Sequence, residues 1–275
     1  MIDVSGIRFA NDAPLVLIGG VNVLESLDLA LEVGEHMRET CARLGVPYVF
    51  KASFDKANRS SMHSFRGPGL HQGLEWLAEI RSKLGVPILT DVHEPHQAGP
   101  VAEVCDILQL PAFLSRQTDL VRALGETGAV VNVKKAQFLA HGEMRHILSK
   151  FRECGNERIL LCERGNSFGY HNLVVDMLGF PVLKELGAPV VFDVTHSLQL
   201  PGGRTDSADG RGAHTLDLAR AGVSQGIASL FLEAHPDPSK AKCDGPSALR
   251  LADFDRFIEE VWSLDQFIKS RPTGL

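Results

Sequence analysis

The stretch LGVPYVFKASF, residues 44–54, holds the reading that decides the fold. A glycine just past the last apolar turn of a helix is a C-cap, and a proline soon after it starts an extended run. The run here, Pro47 to Phe54, is short, rich in Val and aromatic residues, and places its polar side chains late. The same junction recurs as LGVP at Leu84 to Pro87 and as LGAP at Leu186 to Pro189.

Working outward from it, eight such runs are found: Leu15 to Asn22, Pro47 to Phe54, Pro87 to His93, Ile107 to Phe113, Ala129 to Gln137, Arg158 to Gly165, Pro189 to Ser197 and Ser229 to His235. Helix-like stretches separate them. Continuously apolar strands alternating with helices imply a parallel sheet covered by helices. Eight units over 275 residues fit an α/β fold of the (β/α)8 TIM barrel type. A doubly wound sheet is the alternative. No composition shift or linker divides the chain, so residues 1–275 read as one barrel catalytic domain with no regulatory extension. The segment before Leu15 alternates in polarity around Asn11 and Asp12 and predicts a short N-terminal hairpin closing the barrel bottom. In the last stretch, Phe254, Phe257, Ile258, Val261 and Leu264 have the spacing of a helix face packed on the barrel.

Charge and cysteine usage narrow the function. A formal net charge of -6 argues against a general binder of nucleic acid or anionic membranes, so any basic site must be local. Five scattered cysteines without a CxxC pair suit a reduced, cytoplasmic protein. No apolar run approaches the roughly 18 residues of a membrane helix, and the N-terminus lacks the pattern of a secretory signal.

A barrel of this kind builds its site at the C-terminal strand ends. Polar residues fall there in nearly every run: Asn22, Lys51 with Ser53 and Asp55, Asp91 with His93, Gln109, Asn132 with Lys134 and Gln137, Glu163 with Arg164, Asp193 with His196, and Glu233 with His235. Alternation along a strand prevents Lys134 and Lys135 from both facing the mouth, so one is structural. Lys51, Lys56, Lys134 or Lys135, and Arg164 would converge at one rim, which suits a small multiply charged anion such as a phosphate or carboxylate. Arg59 and Ser60 could hold a second anion. Asn22, His196, Glu233 and Asp244 form a cluster in which His, Glu and Asp suit a divalent metal and Asn22 does not. The HEPH stretch, His93 to His96, has no helical i,i+4 geometry and is not read as a zinc motif. Leu200 to His214 is rich in Gly and Asp and long for a connection, which predicts a lid.

At these residues the chain resembles a known family. GGVNVLES, KASFDKANRSS, RGPGL, TDVHEP, QLPAFLSRQTDL, NVKKAQF, NLVVDMLGF, FDVTH and EAHPDPSKAKCDGPSAL, spread from about Leu15 to Leu249, closely resemble the 3-deoxy-D-manno-octulosonate 8-phosphate synthases. The resemblance implies condensation of phosphoenolpyruvate with D-arabinose 5-phosphate and water, on the route to lipopolysaccharide. It implies that Lys51, Lys56, Lys134 and Arg164 hold phosphoenolpyruvate, and that Asn58, Arg59 and Ser60 hold the sugar phosphate. Asp91 would contact the sugar hydroxyls, and Arg116 would reach a neighbouring subunit's sugar-phosphate site in a homotetramer. Ser53, Gln109 and Glu233 complete the expected binding set, with Asn22, His196, Lys134 and Asp244 as the catalytic set.

That family divides into members with Cys at the position of Asn22, which use a metal, and members with Asn, which do not; this chain resembles the second, with no metal or cofactor expected. HSLQLPGG, His196 to Gly203, is a departure that looks more like the metal-dependent branch. The nearest rival, 3-deoxy-D-arabino-heptulosonate 7-phosphate synthase, uses erythrose 4-phosphate and carries a pattern closer to KPRTS where this chain has KANRSS, making Asn58 the discriminating residue. A non-catalytic anion-sensing barrel would require lost site residues, and none of the matched positions is lost.

Overall fold

The computed structural model describes residues 1–203 and 208–271. Its centre is a closed parallel barrel of eight strands: β1 (Val16–Val23), β2 (Tyr48–Ser53), β3 (Ile88–Asp91), β4 (Ile107–Leu110), β5 (Val130–Lys134), β6 (Ile159–Glu163), β7 (Val190–Asp193) and β8 (Ser229–His235). Closure is made by β8, whose Ser229 is in register with Val191 of β7 and with Val16 of β1. The outer helices are α1 (Leu27–Leu44), α2 (Leu70–Leu84), α3 (Ala98–Val104), α4 (Thr118–Glu126), α5 (Met144–Glu153), α6 (Gly179–Glu185), α7 (Thr215–Val223) and α8 (Phe254–Lys269). The glycines read as helix stops adopt the left-handed conformation, with φ of 72° at Gly45, 65° at Gly85 and 84° at Gly187.

Alternation along each strand sorts the residues. Leu17, Phe50, Leu108, Val131, Leu161, Phe192 and Leu230 point outward and pack with the helices in one apolar cluster. Val16, Ile18, Val49, Leu89, Ile107, Val130, Leu160, Val191 and Phe231 point inward and form a second cluster with Ile2, Val4 and Phe9. The N-terminal hairpin, Ile2–Val4 paired with Ile7–Phe9, therefore plugs one end of the barrel. Its turn is at Ser5 and Gly6, where φ is 50° and 85°. Asn11 ties the hairpin to β7, accepting from Val190 N at 2.8 Å.

One strand boundary is corrected. The seventh strand stops at Asp193 rather than running to Ser197, because the Asp193 carboxylate accepts from His196 N at 2.9 Å and caps a single helical turn, Val194–Ser197. In α8 the expected face packs on the barrel, with Phe254, Phe257, Ile258 and Val261 buried and Leu264 partly buried against the same cluster; Asp265 is the last buried residue. Asp265 accepts from Leu15 N at 3.0 Å and pairs with Lys269 at 2.6 Å, fixing the helix across the start of β1. Of the anticipated lid, residues 204–207 lie outside the described residues, and around them Gln199–Leu200 pairs antiparallel with Asp209–Gly210. Among the described residues no helix is long and apolar enough to cross a membrane.

Candidate active site

The inward positions that are apolar at the hairpin end become polar at the other end of the same strands. Val49 is followed two and four residues on by Lys51 and Ser53, Leu89 by Asp91, Ile107 by Gln109, Val130 by Asn132 and Lys134, Val191 by Asp193, and Phe231 by Glu233. The period of two stacks these side chains directly above the barrel core. In β1 the register shifts between Gly20 and Val23, a bulge that brings Asn22 to the mouth. Gly20 is required beside it, since a Cβ there would overlap the carbonyl of Lys51.

A cavity of about 470 Å³ opens over this layer. Lys56, Asn58, Arg59, Ser60, Asp91, Gln109, Lys134, Arg164, His196 and Asp244 line it, so most of the expected residues meet there. Lys51, Glu233 and Ser53 lie beneath, fully buried. Lys51 Nζ donates to Glu233 Oε1 at 2.5 Å and to Asn22 O at 2.8 Å. Ser53 is a support rather than a lining residue, donating to Asp91 Oδ2 at 2.7 Å. Gln109 donates to Asp91 Oδ1 at 2.7 Å and accepts from Asn132 at 2.9 Å. Arg116 is exposed and outside the cavity; its carbonyl accepts from Lys150 at 3.4 Å.

The cations and carboxylates set one another's charge. Burial alone would push the Asp91 carboxyl up, but Lys56, His93 and Lys51 outweigh it and hold the group well below the usual range. Glu233 behaves likewise: burial opposes ionisation, yet His196, Lys51 and Lys56 bring it to about 2. Asp193 is held low against burial by His196 and Lys134. Burial also pulls Lys51 below the ordinary lysine range despite Glu233, so removing the ammonium from water costs more than this partner returns.

Lys134 pairs with Asp193 Oδ2 and stands 3.3 Å from the centroid of the Phe231 ring. His196 Nδ1 lies 2.7 Å from the same Asp193 oxygen, with Nε2 3.6 Å from Glu233 Oε2. Arg164 Nη2 donates to Gln199 at 2.8 Å, whereas its buried Nη1 has no hydrogen-bond partner among the described residues. Lys135 takes the structural place: it is fully buried on the outer side of the wall and donates to Asn166 at 2.8 Å. On the opposite rim Arg59 contacts Cys243 Sγ and donates to Lys242 O at 3.3 Å, joining the loops after β2 and β8. His93 stacks edge-on against Phe54 with centroids 5.5 Å apart, and His96 is exposed.

Asn22 Nδ2 donates to Glu233 Oε2 at 2.5 Å and to Asp244 Oδ2 at 3.1 Å. Its N–H groups therefore occupy the space between two carboxylates in which a divalent ion would have to sit. In this orientation the Asn22 amide presents donors where an ion needs a lone pair or a thiolate, so the set as it stands does not fit a metal centre. Sequence reasoning placed Asp193 at a strand end without giving it a role, and missed Phe231, Cys243 and Gln199 as members of the site. Asp193 had a signal, the capping aspartate three residues before His196; Phe231 had only its inward parity.

The profile of the DAHP synthetase I family matches residues 1–270. The chain belongs to that family. Within the DAHP synthetase I family it is 67% identical over 269 residues to a protein of Marinobacter nauticus named 2-dehydro-3-deoxyphosphooctonate aldolase, covering 98% of this chain and 96% of that one. A protein of the same name from Acinetobacter baumannii is 63% identical, covering 98% and 94% of the two chains. Another, from Pseudomonas savastanoi pv. phaseolicola, is 64% identical over 271 residues, 98% of this chain and 96% of that one.

Proposed function

We propose that this chain condenses phosphoenolpyruvate with D-arabinose 5-phosphate and water, releasing 3-deoxy-D-manno-octulosonate 8-phosphate and inorganic phosphate for lipopolysaccharide synthesis. The observation that carries the reading is the shared name of relatives at 67%, 64% and 63% identity, each covering 98% of the chain. The cavity supports it with cations from two parts of its rim, Lys134 and Arg164 at the ends of β5 and β6, and Arg59, beside Asn58 and Ser60, in the loop after β2.

Phosphoenolpyruvate sits with its phosphate and carboxylate toward Arg164, Lys134 and Lys56, over Lys51. Arabinose 5-phosphate extends from Asp91, which takes its hydroxyls, to Asn58, Arg59 and Ser60, which take its phosphate. C3 of phosphoenolpyruvate attacks the aldehyde and water adds at C2. The resulting tetrahedral bisphosphate then loses phosphate by C–O cleavage. Cations fixed on the anions hold C3 near the aldehyde, and such alignment is worth several kcal/mol of the barrier. The protein must also stabilise positive charge at C2 and deliver a proton to the aldehyde oxygen, and His196, between Asp193 and Glu233, is placed to move a proton.

In this reading the reaction needs no metal, because Asn22 bridges Glu233 and Asp244 with its own donors. The unit is a single barrel domain over residues 1–275, cytoplasmic and homotetrameric, with Arg116 serving the neighbouring subunit's sugar-phosphate site. Mass analysis of the product tests the substrate assignment. An eight-carbon phosphorylated acid should form from arabinose 5-phosphate and little or no seven-carbon acid from erythrose 4-phosphate; the reverse result overturns it.

A further inference from the structure

Behind Arg164 lies a buried carboxylate that the proposed reaction does not touch. Glu163 ends β6 and precedes Arg164, so alternation sends the two side chains to opposite sides of the barrel wall. Arg164 enters the cavity, while Glu163 is fully buried behind it. There the Glu163 carboxylate turns back on its own chain: Oε1 accepts from Arg164 N at 2.9 Å and from Gly165 N at 2.5 Å. Gly165 is left-handed, with φ of 88°, so the carboxylate holds the turn at which the strand leaves the barrel.

The other oxygen stands in ion-pair range of the neighbouring loop. His141 Nε2 lies 2.7 Å from Oε2 and Lys135 Nζ lies 3.6 Å from it. Lys135 also donates to Asn166 Oδ1 at 2.8 Å, Asn166 Nδ2 donates to Leu139 O at 2.8 Å, and Ser167 N donates to Gln137 O at 3.0 Å. The loops after β5 and β6 are thereby joined around one carboxylate. Burial alone would raise the Glu163 carboxyl, but His141, Lys135 and the Gly165 N–H hold it below its ordinary range, so it remains the acceptor this geometry requires.

We propose that Glu163 is a positioning residue that sets where the Arg164 guanidinium meets the anion of phosphoenolpyruvate, with His141 and Lys135 orienting its carboxylate. The inference rests on the reading of Arg164 as a phosphoenolpyruvate ligand. Glu163→Gln places an amide NH2 against either two backbone N–H groups or the His141 and Lys135 side. One side must then lose its acceptor.

The test is steady-state kinetics of the full-length enzyme with both substrates varied, for wild type, Glu163→Gln, Arg164→Ala and the double variant. Glu163→Gln should raise the KM for phosphoenolpyruvate about tenfold, the loss of one charge-assisted contact, and leave that for arabinose 5-phosphate within about twofold. In the double variant the Glu163 change should add little to the loss from Arg164→Ala, because it acts through that arginine. Equal changes in both KM values, or full multiplication of the two effects, would overturn the proposal. If Glu163→Gln does not fold, His141→Ala replaces it. That variant should raise the phosphoenolpyruvate KM selectively and His141→Gln should restore at least half the loss; no selective change from His141→Ala, or no recovery, counts against Glu163. A wild-type enzyme that consumes no phosphoenolpyruvate with arabinose 5-phosphate would overturn the proposed function instead, so the two failures are separate.

Discussion

Replacing Glu233 by Gln should destabilise the barrel by a pH-dependent amount that the structure lets one work out. Glu233 is fully buried and its carboxyl is lowered from 4.5 to about 2. At about 1.4 kcal/mol per pKa unit, that depression corresponds to about 3 kcal/mol of stability at neutral pH. The Lys51 side argues for no more than this, since burial pulls that lysine down and Lys51 keeps the carbonyls of Asn22 at 2.8 Å and Val21 at 3.4 Å after the substitution. Breaking one side of a buried pair usually costs about 3–5 kcal/mol, so about 3 is the consistent figure. For a chain of this size it lowers the melting temperature by about 6–12 °C. The sign follows from the depressed pKa: the contribution is complete above 4.5 and disappears as pH falls toward 2. About a quarter should be gone by pH 4. Thermal unfolding of both proteins between pH 7 and pH 4 measures this. Equal melting temperatures at pH 7, or a difference that does not narrow as pH falls, would refute the reasoning.

Other substitutions separate the roles within the cavity. Asn22→Cys exchanges a donor amide for a thiolate between Glu233 and Asp244 and should create divalent-metal affinity, read as bound Mn²⁺ or Zn²⁺ after desalting; unchanged metal content would contradict the placement of Asn22. Lys134→Met removes the cation shared with Asp193 and should lower kcat by roughly 10²–10³, whereas an unchanged kcat at saturating substrates would remove Lys134 from the reacting centre. In the proposed reading Asp91→Asn should raise the KM for arabinose 5-phosphate about tenfold and that for phosphoenolpyruvate less, since Ser53 and Gln109 fix the carboxylate and Lys56 stands 4.0 Å from it. An equal rise for both substrates would show that Asp91 acts on the whole cavity.

Much of this architecture is legible in the chain because a parallel barrel writes itself as short apolar runs with polar ends. The runs at Pro47 and Ser229 contain β2 and β8, and parity along them separates core from mouth: Val49, Lys51 and Ser53 share one face, as do Phe231 and Glu233. The same rule separates Lys134 from Lys135. It fails where a local hydrogen bond competes with the strand, as at Asp193, whose cap on His196 N turns VTHS into a helical turn. The hairpin was legible from alternation before Leu15, but its turn at Ser5 and Gly6, where φ is positive, was not placed. The site was legible as a set of charges meeting at one rim. Its pairings were not, because Lys51 with Glu233 and Asn22 with Asp244 are separated by 182 and 222 residues, and only closure of the barrel brings them together.

The most direct measurement is inorganic phosphate release from phosphoenolpyruvate by chelator-treated enzyme, with arabinose 5-phosphate in one reaction and erythrose 4-phosphate in the other. The account predicts full release with arabinose 5-phosphate and negligible release with erythrose 4-phosphate. Silence in both reactions, relieved by Mn²⁺, would contradict the role given to Asn22, and release with erythrose 4-phosphate alone would contradict the substrate itself.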